Sequence, residues 1–209
     1  AEWNKAFGGL EDDILTCAAE SEDGGFYLGG YSSSEISGDK SQNSYGAQDF
    51  WLIKLDSVGE LIWDLTLGGD STDIMRSIVI DESYILLGGY SISKSKGTKS
   101  QNGFGGYDFW LNKVDFQGEL IIDKTLGGPK NDFMEEIRLK EHSLGYWVSG
   151  TTYSRPGGTK TSGYFNNGDT WVLKVDSSFL IEFERTIGSN NYEECMDMEI
   201  SPEGSAIIA

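Results

Sequence analysis

Apolar residues in this chain come in short runs bounded by glycine and polar clusters, with no helical period anywhere. The most regular run is Tyr107-Asp-Phe-Trp-Leu-Asn-Lys-Val-Asp115, which also occurs as Gln48-Asp-Phe-Trp-Leu-Ile-Lys-Leu-Asp56 and Gly168-Asp-Thr-Trp-Val-Leu-Lys-Val-Asp176. Trp51, Trp110 and Trp171 stand 59 and 61 residues apart. A fixed period of this kind means one structural unit copied along the chain. The repeats run over about 3–62, 63–121, 122–181 and an incomplete 182–209, in one domain over 1–209.

Each unit predicts four strands. A glycine doublet opens it (Phe7-Gly-Gly9, Leu67-Gly-Gly69, Leu126-Gly-Gly128, decayed to Ile187-Gly-Ser189), and five residues after the first glycine stands Asp13, Asp73, Asp132 or Glu193. The first strand follows, over Ile14 to Glu20, Ile74 to Ile80, Phe133 to Leu139 and Glu194 to Ile200; its middle is the most polar of the unit. The second reads Phe26 to Tyr31, Ile85 to Tyr90 and Tyr146 to Thr151, β-branched and aromatic residues between glycines. A polar loop (32–48, 91–107, 152–168), long for a hairpin, leads to the Trp strand. A turn at Asp56 to Gly59 or Asp115 to Gly118 then enters the fourth strand, Leu61 to Leu67 or Leu120 to Leu126; in the third unit Phe179 replaces the turn glycine. Four sequential short strands per unit are the content of a propeller blade, with the first strand along the central channel. The fold expected is therefore an all-β propeller of four-stranded antiparallel blades, about three and a half of them here, as part of a larger ring. A β-solenoid, with shorter coils, is the alternative.

The repeats resemble the secreted, glycine-rich propeller repeats of Bacteroidota, in which a K-x-[FL]-G-G turn, a D-G-G-[FY] turn and a D-[FYW]-W-[LV]-x-K-[LV]-D strand recur. The resemblance covers the whole chain and implies an extracellular or outer cell-surface protein of the kind exported by type 9 secretion; no sorting domain of that system is visible. Kelch propellers share the doublet followed by an aromatic, as at Gly88-Gly-Tyr90, with shorter units. The family carries no established catalytic residues to transfer.

Charge narrows the partners. A formal net charge of −18 repels nucleic acid and anionic lipid, and no apolar run reaches bilayer length. Cys17 and Cys195 lie in different repeats and read as two buried free thiols. His142 is the only histidine, which argues against a His triad or multi-His metal site, and no serine has a nucleophile-elbow context. Paired carboxylates could hydrolyse glycosides, but 34 acids bring pairs together by chance. The chain reads as a non-enzyme without a cofactor.

Strand order places the Gly-Gly turns and the long loops on one face, the best surface for a ligand. It collects Asp12, Asp13, Asp39, Asp73 and Asp132, the lysines Lys40, Lys99 and Lys160, and the aromatics Tyr45, Phe104, Tyr107, Tyr164 and Phe165. Asp13, Asp73 and Asp132 recur in every unit, so they read as turn locks, with calcium ligation as the alternative; Asp49, Asp108 and Asp169 read the same way. The Trp residues read as core and the loop aromatics as platforms. Lys54, Lys113 and Lys174 should snorkel to an edge or pair with an acid. The expected function is a protein–protein scaffold, with a glycan-binding module as the alternative and a glycosidase behind both.

Overall fold

The computed structural model describes residues 3–139, 145–201 and 204–209. His142 lies outside them. Among the described residues there is no helix, hence none long and apolar enough to cross a membrane. The strands are β1 (Asp13–Glu20), β2 (Phe26–Ser32), β3 (Asp49–Leu55), β4 (Leu61–Leu67), β5 (Asp73–Ile80), β6 (Ile85–Ser91), β7 (Asp108–Val114), β8 (Leu120–Leu126), β9 (Asp132–Leu139), β10 (Tyr146–Thr152), β11 (Asp169–Val175), β12 (Ile181–Ile187), β13 (Met198–Ile200) and β14 (Ala206–Ile208). They form three four-stranded antiparallel meanders, β1 to β4, β5 to β8 and β9 to β12, followed by the pair β13–β14. The sheets stack like propeller blades, with β1, β5, β9 and β13 in successive contact. Among the described residues no closed ring is formed.

The repeated residues explain the stacking. β3 and β7 are buried along their whole length, because each face packs on a neighbouring layer. Phe50 and Leu52 face the second sheet, where they meet Met75 and Trp110, while Trp51 and Ile53 face the opposite way, toward Phe7 and Leu28. The next seam repeats this with Phe109, Leu111, Met134 and Trp171. Phe50 lies against Trp110 with ring centroids 4.8 Å apart, and Phe109 against Trp171 at 5.0 Å.

The glycine doublet inside β2 and β6 serves a bulge. Register slips between Leu15 and Cys17, between Met75 and Ser77, and opposite Ser149–Gly150 in the third sheet, leaving Thr16, Arg76 and Glu135 as the extra residues. The bulged strand bends so close to the second glycine that a Cβ on Gly30, Gly89 or Gly150 would stand 1.9, 2.0 or 2.1 Å from a backbone oxygen. The first glycine makes room for the next sheet: Met75 fills the space over Gly29, and Met134 the space over Gly88. In the third sheet the column changes to Ser149, opposite the smaller Cys195, and the Ser149 hydroxyl is buried without a hydrogen-bond partner. Large against small is kept across the seam.

Two expectations change. The turn before the fourth strand of the third unit is retained despite Phe179. Its N–H donates to Asp176 O at 3.0 Å, as Gly59 does to Asp56 and Gly118 to Asp115, both at 3.1 Å. Asp176 Oδ1 accepts the N–H groups of Ser178 and Leu180, which holds Phe179 at a φ of 60°. That conformation costs about 1–2 kcal/mol for a residue with a Cβ; burial of the whole ring offsets it. Across the seam, Trp63 stands over Gly118, whereas the shorter Ile122 packs on the cluster that contains Phe179. The second change is the fourth unit. Only Met198–Ile200 is strand, not Glu194 to Ile200. β13 pairs with β14 from Met198 to Ile200; Met196 and Asp197 both donate to Ala209 O, at 2.9 and 3.3 Å, and Cys195 N donates to Thr151 Oγ1. Both cysteines are free, Cys195 buried and Cys17 partly covered. Burial raises both thiols, Cys17 to about 11, which keeps them as unreactive packing groups.

Candidate functional site: the loop face

The Gly-Gly turns and the long loops do emerge on one face, and hydrogen bonds join them across the seams. Gly68 O accepts Thr98 N at 3.0 Å, and Gly127 O accepts Thr159 N at 2.9 Å. The carboxylates lock this layer. Asp73 Oδ2 accepts Gly69 N and Ser93 Oγ, both at 2.8 Å; Asp132 Oδ2 accepts Gly128 N at 2.7 Å and Ser154 Oγ at 2.9 Å; Asp13 Oδ2 accepts Gly9 N at 2.6 Å and Ser34 Oγ at 3.1 Å. Asp49, Asp108 and Asp169 do the same for Tyr45, Phe104 and Phe165, at 2.6, 2.7 and 3.0 Å. Each of these acids gives Oδ2 to a turn, while Oδ1 of Asp13, Asp49, Asp73, Asp108 and Asp169 is buried without a hydrogen-bond partner; among the described residues no cluster of three or more His, Cys, Asp or Glu is placed to hold a metal ion. Asp39 Oδ2 likewise accepts Gly8 N, and Asp12 O accepts Ser33 N.

The loop lysines are not displayed. Lys40, Lys99 and Lys160 are no more than 2% exposed. Each ammonium donates to the threonine of the outer strand (Thr66, Thr125, Thr186) and lies 4.9–5.7 Å from the ring centre of Trp51, Trp110 or Trp171. The indole N–H of each Trp goes to an outer-strand acid: Asp64 at 2.9 Å, Asp123 at 3.0 Å, Glu184 at 2.9 Å. The same acids accept backbone N–H from Ser41, Ser100 and Thr161 in the long loop. Gln42 and Gln101 accept the N–H of Thr66 and Thr125. The long loop thus folds back along the outer strand and covers part of its open edge. A recurring lysine in a recurring loop is a staple.

Of the expected platforms, Tyr45 and Phe104 are seam latches. Tyr45 lies against Gly97 of the next sheet and Phe104 against Gly158, where a Cβ would come within 2.7 Å of the ring. Phe165 holds the same position, and Tyr45, Phe104 and Phe165 remain 40%, 42% and 43% exposed. Tyr164 is partly covered, with Lys130 5.9 Å from its ring centre. On the opposite face, Lys54 pairs with Asp23 at 2.8 Å, Lys113 donates to Ser177 O among the rings of Tyr84, Tyr146 and Phe179, and Lys174 lies 4.3 Å from the ring centre of Trp147.

Tyr107 alone of the expected set joins a larger arrangement. Tyr90 meets Tyr107 at 5.4 Å and Phe133 at 5.1 Å; Phe133 continues to Tyr153 at 6.1 Å, and Tyr153 to Tyr192 at 6.4 Å. The stripe crosses from the second sheet over the third toward the fourth unit. Its members are half-buried except Tyr192, which is 52% exposed. Beside it Arg76 and Glu135, the bulge residues of β5 and β9, pair through Nη2 at 2.6 Å and Nε at 2.7 Å. Sequence reading missed Tyr90, Phe133, Tyr153 and Tyr192, yet it carried a signal. Tyr90 recurs as Tyr31 in the first unit, but Phe133, Tyr153 and Tyr192 stand where the first two units hold Ile14 and Ile74, Ser33 and Ile92, and Asp12 and Thr72, so aromatics at those three positions are not a requirement of the unit.

Buried carboxyls meet at the seams. Asp73 N donates to Gln48 O beside Asp49, and Asp132 N to Tyr107 O beside Asp108. Burial, with the neighbouring aspartate adding to it, raises Asp49 to about 6 and Asp108 to about 7. Burial also raises Asp73, Asp132, Glu135 and Glu136, and lowers Lys99 to about 8. Burial also pushes Glu184 up, but its hydrogen bonds from Thr161 and Trp171 leave it below its usual range; Asp23 is lowered by Lys54 and Ser21. A carboxyl whose folded value is raised contributes stability that is full below the unfolded value and is lost as pH climbs through the folded one. The lowered Glu184 and Asp23 act in the opposite sense, below their ordinary range. Between pH 5 and 7.5 the raised groups dominate. The thermal midpoint should therefore be higher at pH 5 than at pH 7.5, and Asp108→Asn should flatten the difference. Calorimetry giving an equal or higher midpoint at pH 7.5 would refute this.

No protein-family model matches the chain, and a search of curated proteins finds no match.

Proposed function

We propose that the chain is a run of propeller blades, about three and a half within a larger ring, that works as a non-enzymatic binding module of a secreted or cell-surface protein through its loop face. The observation that carries this is the division of labour on that face. Most recurring polar groups serve turns, seams and loop staples, and the face also carries an aromatic stripe whose Phe133, Tyr153 and Tyr192 have no aromatic counterpart in the first two units. Such a surface suits a protein partner in a surface complex. The exposed rings of Tyr45, Phe104, Phe165 and Tyr192 also support the second reading, a glycan-binding module.

Photo-cross-linking on the native full-length protein tests the reading. A photoreactive residue at Ile92, exposed on the loop face, should give a discrete protein adduct, and one at Val58, exposed on the opposite face, should not. Adducts from both sites in equal yield, or turnover of a glycan substrate, would overturn it.

A further inference from the structure

We infer that the face of the first sheet turned away from the second is a strand-acceptor site. It takes a further unit of this same repeat and pairs that unit's Trp strand with residues 3–7. This rests on the reading of the chain as a run of blades and adds the site, its partner and the contacts that select it.

Residues 3–9 already stand where a blade in front of the first sheet places its fourth strand. Trp3 lies over Gly59, 2.7 Å from an added Cβ, as Trp63 lies over Gly118. Gly8 O accepts Asp39 N at 2.9 Å, and Gly8 N donates to Asp39 Oδ2 at 3.1 Å. Gly68 makes the same pair of bonds with Thr98, and Gly127 with Thr159. Lys5 adds an ion pair to Glu60 at 2.6 Å. At the equivalent stations β4 and β8 are paired to β3 and β7 as outer strands of complete sheets. Residues 3–7 lie in no ladder among the described residues, so their backbone offers an edge for strand addition.

Behind that edge the seam is half built. A cavity of about 400 Å3 lies there, lined by Trp3, Phe7, Leu15, Leu28, Trp51 and Ile53. At the next seam the corresponding place is filled by Phe50 and Leu52, which meet Met75 and Trp110. Leu15 holds the position of Met75 and Met134 opposite the second glycine of the doublet. Both methionines are fully buried, whereas Leu15 is 61% exposed. Trp51 likewise lacks the phenylalanine that Trp110 and Trp171 receive from the sheet in front of them.

These contacts define the partner. Its strand needs an aromatic just before its Trp and an aliphatic just after, the Phe-Trp-Leu pattern of β3 and β7, to reach Trp51 and Leu15. Its indole N–H falls to Asn4, which is exposed and stands where Asp64, Asp123 and Glu184 accept that proton in the three sheets. The glycine doublet of its second strand makes room for Leu15, as Gly29 does for Met75. A second copy of the chain has no such strand to lend, because β3, β7 and β11 are each paired on both edges. The occupant is a further repeat unit.

Calorimetric titration of the chain with Gln-Asp-Phe-Trp-Leu-Ile-Lys-Leu-Asp, the sequence of residues 48–56, tests the proposal. A control peptide carries serine in place of the phenylalanine and the first leucine. The repeat peptide should bind at least about tenfold tighter than the control. Leu15→Asp, at an exposed position, should weaken it about tenfold or more, and Phe183→Asp, exposed on the third sheet, should leave it within about twofold. Hydrogen exchange at the amides of residues 4–7 should slow with the repeat peptide and not with the control, which mere adhesion to an apolar surface does not produce. Circular dichroism shows that each variant is folded. Equal binding of the two peptides, indifference to Leu15→Asp, loss on Phe183→Asp instead, or unchanged exchange at residues 4–7 would each overturn the proposal. Absent peptide binding with a protein adduct still formed from Ile92 would remove the acceptor site and leave the loop-face reading standing.

Discussion

Trp110→Ala is expected to cost about 3–5 kcal/mol of folding free energy, among the largest effects of any single truncation in this chain. Trp110 is fully buried and touches every part of the seam at once. Its ring packs on Phe50 of the preceding sheet, its N–H satisfies Asp123, and its face carries the Lys99 ammonium. Truncation leaves a cavity between two sheets and also strips a partner from a buried carboxylate and a buried cation, which costs more than the lost area alone. Trp171→Ala should behave alike through Phe109, Glu184 and Lys160. Within these 209 residues Trp51 has its Asp64 and Lys40 and packs with Phe7 and Leu28 in place of a stacked phenylalanine, so in that chain Trp51→Ala should cost less than Trp110→Ala. Urea denaturation of the three variants checks both the size and the order. A loss below about 1 kcal/mol for Trp110→Ala would mean that the seam is not the main source of cohesion.

Strand positions were legible because repetition marks them several times over. The aligned runs placed β1 to β11 to within a residue or so, with no range offered for β12, and the apolar Phe-Trp-Leu runs announced strands covered on both faces. The fates of polar residues were less legible. Lys99 looks like any loop lysine until Thr125, 26 positions away, and Trp110 are seen around it. Recurrence was the available clue. It assigned Asp13, Asp73 and Asp132 to the turns, and the same logic applies to Lys40, Lys99 and Lys160 and to Tyr45, Phe104 and Phe165. What every unit keeps belongs to the unit. Tyr153 and Tyr192 point the other way, since they stand where the first two units have no aromatic. Their contact joins different columns of different repeats, which alignment by itself does not bring together. The turn at Phe179 was illegible for a third reason: the Asp176 side chain, not a glycine, enforces the backbone.

Gly89→Ala is the second substitution with a large expected effect, because the bulge leaves no room for a methyl group. A Cβ there would stand 2.0 Å from Ile74 O, 2.9 Å from Ile74 C and 2.9 Å from Met75 Cα. All three are backbone of β5, which is paired to β6 and packed on β1 and β9, so no side-chain rotation relieves the clash. The strand must shift, or the bulge must be lost and Arg76 with it, which would pull its guanidinium away from Glu135. A cost of about 3 kcal/mol or more follows, at the upper end of overpacking penalties. Gly88→Ala should cost less, because the obstacle there is the thioether end of Met134, which is flexible. The pairing of Ser149 with Cys195 in the third sheet shows the larger residue accommodated by a smaller neighbour, so Met134→Cys should recover part of the loss of Gly88→Ser. Gly163→Ala, with nothing within 4 Å of the added carbon, serves as the reference and should change stability by no more than about 0.5 kcal/mol. If Gly89→Ala melted within about 1 kcal/mol of Gly163→Ala, the bulge would not be a fixed part of the sheet, and the placement of Arg76 beside the aromatic stripe would lose its structural basis.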